Sequence, residues 1–327
     1  MPETLTSESA AQAKLELDAV IRAVCDRVVG QEHAVRLLVA ACLVGGHALL
    51  EDVPGTGKTR LASSLAAALG LSFARVQGTP DLLPADVIGT TVYHPREEAF
   101  RFHPGPIFTQ VLLFDEINRA TPRTQAALLQ AMAERAVTVD GEVKPLPRPF
   151  FVLATANPVE SQGVFPLPEA ELDRFLVQVA LGYLPESLEM EMVKRVIAEE
   201  ADGPAPDPVL GADRLVQLQR MAQIVFVHDD VLRYAVSLAR RTRDHDQISL
   251  GASPRSAVWL VRLAQALALL VGRNFVTPDD VQEAFLPVMR HRLVFDIAWA
   301  DRRERDRLLQ SILDDTPVPH EREVSAP

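Results

Sequence analysis

The segment Pro54-Gly55-Thr56-Gly57-Lys58-Thr59 collects the residue types that handle a phosphate chain. Backbone N–H groups of a glycine-bearing turn can cradle phosphate oxygens, and the positive end of a following helix adds to them. Lys58 has the reach for β- and γ-phosphates, and the Thr59 hydroxyl suits magnesium. The strict phosphate-loop pattern has Gly at position 52, where this chain has Asp52. Further along, Leu112-Leu113-Phe114-Asp115-Glu116 is an apolar run ending in two carboxylates. Asp115 there suits the coordination shell of magnesium, and Glu116 suits orienting or deprotonating an attacking water. Two strand-end acids alone are as readily plain surface residues. Paired with the phosphate loop upstream, they make a nucleotide site.

Three more polar residues stand at comparable places. Asn157 follows the apolar run Phe150 to Thr155, where an amide could donate to a γ-phosphate; a strand-end Asn opening a turn before Pro158 is the bland alternative. Arg174, in Leu172-Asp173-Arg174-Phe175, is either a surface residue or an arginine presented to another subunit's nucleotide. Arg255 follows Ser253-Pro254 in the first turn of a helix, a place where a cation opposes the helix dipole and an anionic partner would help.

These residues need elements to hold them. His47 to Leu50, Val111 to Phe114 and Phe150 to Thr155 read as buried strands. Ala/Leu-rich residues 59–69 and the segment opened by Thr121-Pro122 read as helices, the latter with Thr121 as cap and Pro122 at its first position. Short strands alternating with helices predict an α/β fold with a parallel sheet covered on both faces. Residues 78–106, with five prolines between strand-like pieces, read as an insertion. Val137-Thr138-Val139 followed by Asp140-Gly141 signals a hairpin within 136–149. After about residue 185 the pattern turns all-helical. Residues 1–10 read as frayed, and the tail from about 315 reads as disordered. The nucleotide-binding core is expected over residues 1–200 and a helical lid over 201–327.

Composition narrows the function classes. The 327 residues are 48% hydrophobic and 24% charged, ordinary for a globular chain with a full core. Two cysteines exclude a disulfide scaffold. A formal net charge of -11 argues against wrapping nucleic acid by phosphate neutralisation. The N-terminus lacks a basic segment followed by an apolar one, and the longest apolar run, Val258 to Val271, is broken by Arg262 and Gln265. A cytoplasmic protein without membrane insertion is expected.

In combination, Glu-Asp-Val-Pro-Gly-Thr-Gly-Lys-Thr (51–59), Phe-Asp-Glu-Ile-Asn-Arg-Ala (114–120) and Phe-Pro-Leu-Pro-Glu-Ala-Glu-Leu-Asp-Arg-Phe (165–175) closely resemble signatures of the MoxR family of AAA+ ATPases. Asp52 in place of Gly also occurs in that family's loops. The resemblance covers about residues 15 to 300. It implies an αβα P-loop core followed by an all-helical lid, a homo-hexameric ring, ATP or ADP with Mg2+ at subunit interfaces, and ATP hydrolysis. It further implies that Val29, Gly30 and Gln31 lie against adenine. Pro54, Gly55, Thr56, Gly57, Lys58, Thr59 and Arg60 would hold the phosphates, and Thr59 and Asp115 the metal. Glu116 would be the catalytic carboxylate, Asn157 the first sensor, Arg174 the trans-acting finger and Arg255 a second sensor drawing the lid onto the γ-phosphate. The insertion 78–106 and the hairpin 136–149 would face the pore or a client. MoxR proteins resemble chaperones of partner complexes and often work with a protein carrying a von Willebrand factor A domain.

Other classes fit less well. A P-loop kinase would not need Asn157, Arg174 or a lid with Arg255. A DNA-associated motor or helicase loader should carry basic pore loops, yet the insertion sets Arg96 and Arg101 against Asp81, Asp86, Glu97 and Glu98. A nucleotide-dependent scaffold without hydrolysis would lack Glu116 or the finger.

Overall fold

The computed structural model describes residues 5–51, 56–156, 163–198, 205–296 and 302–319. In chain order its elements are α1 (Ser7–Cys25), α2 (Glu32–Val44), β1 (Ala48–Glu51), α3 (Lys58–Ala68), β2 (Phe73–Gln77), α4 (Pro84–Ile88), β3 (Gly89–His94), β4 (Ala99–Pro104) and β5 (Val111–Asp115). A 3-10 turn (Ile117–Arg119), α5 (Pro122–Glu134), β6 (Ala136–Val139), β7 (Glu142–Pro145), β8 (Phe151–Ala156), α6 (Glu169–Leu172) and β9 (Val177–Val179) follow. The C-terminal part contains α7 (Glu186–Ile197), α8 (Ala212–Gln223), α9 (Asp229–Arg241), β10 (Ile248–Leu250), α10 (Pro254–Leu270), α11 (Pro278–Met289), β11 (Val294–Phe295) and α12 (Arg302–Asp314).

The main sheet has the order β2-β5-β8-β1-β9, and each of its pairings is parallel. Its central strands are buried on both faces, which is why they read as continuous apolar runs. Alternation still sorts them. Ala48, Leu50, Val111, Leu113, Phe151 and Leu153 enter one apolar cluster, while Leu49, Leu112, Phe114, Val152 and Ala154 enter another with α5. The first cluster also takes in Leu17 and Leu38 of α1 and α2 together with Leu218, Leu238, Leu263 and Phe285 of α8–α11. The core and lid are therefore joined by continuous packing, and residues 199–204, around the expected boundary, lie outside the described residues.

Local signals act as their chemistry dictates. The Thr121 hydroxyl accepts from the Thr124 N–H, and Pro122 opens α5. Asp140 and Gly141, with φ of 52° and 80°, make the two-residue turn between β6 and β7. The insertion is the short helix α4 followed by the antiparallel hairpin β3–β4.

Three expectations need correction. Residues 5–10 are not frayed: α1 starts at Ser7, the Thr6 hydroxyl caps it, and Asn274 donates to the Leu5 carbonyl at 3.0 Å. Among the described residues after 185 the helices are interrupted by a short antiparallel ladder, β10–β11, whose strands lie too far apart in sequence for periodicity to pair them. Disorder does not begin at 315, because Thr316 is buried and its hydroxyl donates to the Ile312 carbonyl at 2.6 Å.

His47 links β1 to its surroundings. Its Nδ1 accepts from the Val152 N–H at 3.0 Å, which leaves Nε2–H to donate to the Met132 carbonyl at 3.3 Å. The bond accepted at Nδ1 needs the neutral ring, and burial pushes its pKa down from 6.5 to about 4. Below pH 6.5 the unfolded chain takes up a proton that the folded chain refuses. The stability tied to His47 is thus complete above pH 6.5 and is lost as the pH falls toward 4. The shift corresponds to roughly 3 kcal/mol. Chemical denaturation between pH 7 and pH 4.5 should show a steeper loss of stability for the native chain than for His47→Gln. Equal slopes would refute this account.

Candidate nucleotide site

A cavity of about 1000 Å³ opens beside the ends of β2, β5 and β8, lined at the phosphate end by Thr56, Gly57, Lys58, Thr59, Arg60, Asp115 and Glu116. That is the carboxyl edge of an open parallel sheet, where such folds bind ligands. Gly57 has φ of 82° and caps α3, which Lys58 opens. That left-handed backbone conformation itself calls for glycine. Lys58 and Thr59 occupy the first turn of α3, where N–H groups have no partners inside the helix.

The paired carboxylates are held by different groups. The Thr155 hydroxyl accepts from the Glu116 N–H at 2.7 Å and donates to Asp115 Oδ1 at 2.7 Å. Arg75 Nη2 donates to Asp115 Oδ2 at 2.7 Å. Glu116 stands in left-handed backbone, φ 55°, and Arg119 Nη1 meets its Oε2 at 3.1 Å. A residue other than glycine in that region is strained, a feature that concentrates at functional sites. The strand leaving toward the insertion is pressed against this turn: a Cβ on Gly78 would lie 2.3 Å from the Glu116 carbonyl oxygen.

The other end of the cavity has two walls. Asp26, Arg27, Val28, Val29 and Gln31 form one; Gly182, Tyr183, Leu184, Glu189, Met192 and Arg195 form the other. Arg195 ties them together by donating to the Asp26 carbonyl at 2.9 Å. Gly30 lines neither wall. It has φ of 72°, and a Cβ there would sit 2.8 Å from both Leu184 and Leu188. Its positive φ lets the loop close against the second wall, between the lining residues Val29 and Gln31.

Of the residues singled out from sequence, Val29, Gln31, Thr56, Gly57, Lys58, Thr59, Arg60, Asp115 and Glu116 line this one cavity. Pro54, Gly55 and Asn157 lie outside the described residues. Arg174 and Arg255 do not line it. Arg174, between α6 and β9, donates to the Leu129 carbonyl at 2.9 Å. Arg255 is largely exposed, and its Nη1 lies 3.7 Å from Asp173 Oδ2. The α10 N-terminus, capped by Ser253, is placed beside the Asp173-Arg174 segment by packing of α10 on α2 and α11. Sequence reasoning missed Arg75, Arg119, Thr155 and Arg195. Thr155, next to the strand end, is the one a local reading could have found.

A parallel sheet with a phosphate-type loop before α3 and paired acids on the neighbouring strand defines an ATPase core with a helical lid. Comparison with known proteins agrees. The family of ATPases associated with various cellular activities (AAA) matches residues 47–177, and the AAA lid domain matches residues 240–312. Chaperone MoxR1 of Mycobacterium tuberculosis is 39% identical over 89% of this chain and 79% of its own length. YeaC of Bacillus subtilis, an uncharacterised protein, is 42% identical over 90% of this chain and 92% of its own length. A solved structure from Cytophaga hutchinsonii, of a protein proposed to be an ATPase, superposes with a TM-score of 0.87 at 33% identity, covering 96% of this chain and 98% of that one. The chain belongs to the MoxR family of AAA+ ATPases, enzymes that bind and hydrolyse ATP. Among the described residues, no helix is long and apolar enough to cross a membrane.

Proposed function

We propose that this ATPase is a chaperone-like remodeller or assembly factor for partner protein complexes, working in the cytoplasm as a homo-hexameric ring. One observation carries the reading. Arg174 and Arg255 stand together beside Asp173 and do not line their own cavity, so in a single chain neither stands where a transferring phosphoryl group would use it. A neighbour would supply them. Glu116 would activate the water, Lys58 would bind the phosphates, and Asn157 would orient the γ-phosphate. Val29 and Gln31 would lie against the adenine.

The hydroxyl of Thr59 and the carboxylate of Asp115 are hard oxygen donors in one cavity and fit Mg2+. When bound, that ion neutralises charge on the phosphates. The hairpins β3–β4 and β6–β7 leave Tyr93, Phe100 and Val143 exposed, Phe100 at 73%. Apolar groups so displayed favour contact with protein. The chaperone name of the relative from M. tuberculosis favours the same reading, and the family resemblance offers a protein with a von Willebrand factor A domain as one partner.

Glu116→Gln should hold ATP and arrest the partner complex. With ATP it should retain proteins that Lys58→Ala does not, and release them when ATP is withdrawn. Identical retention by the two variants, or retention indifferent to ATP, would leave the remodelling reading without support.

A further inference from the structure

Two buried groups at the junction of lid and core take no part in the reading above. His291 and Arg292 follow α11 and are 7% and 5% exposed. A guanidinium has five N–H bonds, and here five acceptors meet them. Nε donates to Asp173 Oδ1 at 2.8 Å. Nη1 donates to the carbonyls of Leu176, at 3.1 Å, and Val288. Nη2 donates to the carbonyls of Phe175 and, at 3.4 Å, Asp173. His291 Nε2 adds a contact to the Phe175 carbonyl at 2.9 Å.

Four of the five acceptors belong to Asp173, Phe175 and Leu176. The grip falls on the peptide entering Arg174 and on the peptide leaving Phe175. Burial lowers the Arg292 pKa to about 10, against the opposing pull of Asp173, so the group stays charged near neutral pH. A buried charge of this kind is costly and persists when its geometry is fully satisfied.

We propose that Arg292 is a positioning residue for the arginine that each subunit offers to its neighbour. It fastens segment 173–176 to the lid, so that Arg174 projects from a backbone whose place the lid sets. This rests on Arg174 acting in trans. Lysine keeps the charge but has three donors on a flexible stem and cannot satisfy a five-acceptor fork. A displacement of about 1 Å at a catalytic group can cost on the order of 10²-fold in rate.

The test uses Arg292→Lys and Asp173→Asn in the full chain, each measured for affinity toward a fluorescent ATP analogue, for ATP turnover, and for turnover after mixing with Glu116→Gln. Affinity should stay within about twofold, and kcat should fall by roughly 10- to 10²-fold. Mixing should restore part of the loss, because Glu116→Gln subunits bring a correctly held Arg174 to sites whose Glu116 is intact. A residue needed only for its own subunit's fold would not be rescued in this way. Arg174→Ala mixed with Glu116→Gln serves as the control. Native turnover in both variants would overturn the proposal, and so would an unrescued loss while the control recovers. A control that fails to recover removes the trans reading itself, and this proposal with it. If Arg292→Lys does not fold, Asp173→Asn carries the same test, since it removes one charged acceptor and leaves all four carbonyls.

Discussion

Arg174→Ala should bind ATP with native affinity and hydrolyse it about 10³- to 10⁵-fold more slowly, the range for an arginine supplied in trans. Native affinity is expected because Arg174 does not line the cavity of its own chain. Its guanidinium is engaged by the Leu129 carbonyl on α5, a neutral acceptor that a neighbour's phosphate can outcompete. Arg174→Ala subunits retain Lys58 and Glu116, while Glu116→Gln subunits retain the finger. Where a Glu116→Gln subunit presents Arg174 to an Arg174→Ala neighbour, one complete site forms. Mixtures should regain activity that neither variant has alone, rising steeply with protein concentration. Full activity of Arg174→Ala would make it an ordinary surface residue. Loss of ATP binding would place it in its own subunit's site.

Glu116→Gln should keep nucleotide binding and lose about 10²- to 10⁴-fold in turnover, the usual contribution of a general base. The amide keeps the size of the side chain. It leaves the Glu116 N–H bond to Thr155, and with it the Thr155 bond to Asp115, intact. Lys58→Ala should fail differently, through weakened binding, because the lysine charge acts on ATP before the transition state as well as in it. Equilibrium binding and single-turnover hydrolysis separate the two variants. Normal turnover in Glu116→Gln would reassign the paired carboxylates. Equal binding losses in both would mean that Glu116 also holds the nucleotide.

Much of the site was legible because its signals are local. A glycine before a lysine at a helix start and an apolar run ending in two acids are written in consecutive residues, and the sheet brings their ends together. The cations around them were not legible. Arg75 reaches Asp115 because β2 pairs in parallel with β5, with Gln77 beside Asp115 in register. Nothing in residues 73–77 announces that neighbour. Arg119 is close to Glu116 in sequence, but its contact depends on the left-handed turn at Glu116. The approach of Arg255 to Asp173 was not legible either, because sequence carries a residue's place in its helix and not the direction in which that helix packs.

From the sequence alone came three strands of the main sheet, the helices beside them, the cap of α5, the Asp140-Gly141 turn, and nine of the residues that line the cavity. Each is set within a few residues by backbone freedom, side-chain capping or apolar spacing. Tertiary structure alone decided the start of α1, the β10–β11 ladder, the placement of Arg174 and Arg255 on a common edge, and the burial of Arg292 against segment 173–176. These depend on contacts between residues up to 269 positions apart, as between Asn274 and Leu5. Their energy comes from packing and desolvation at the place where distant elements meet, and the one-dimensional pattern holds no term for that meeting.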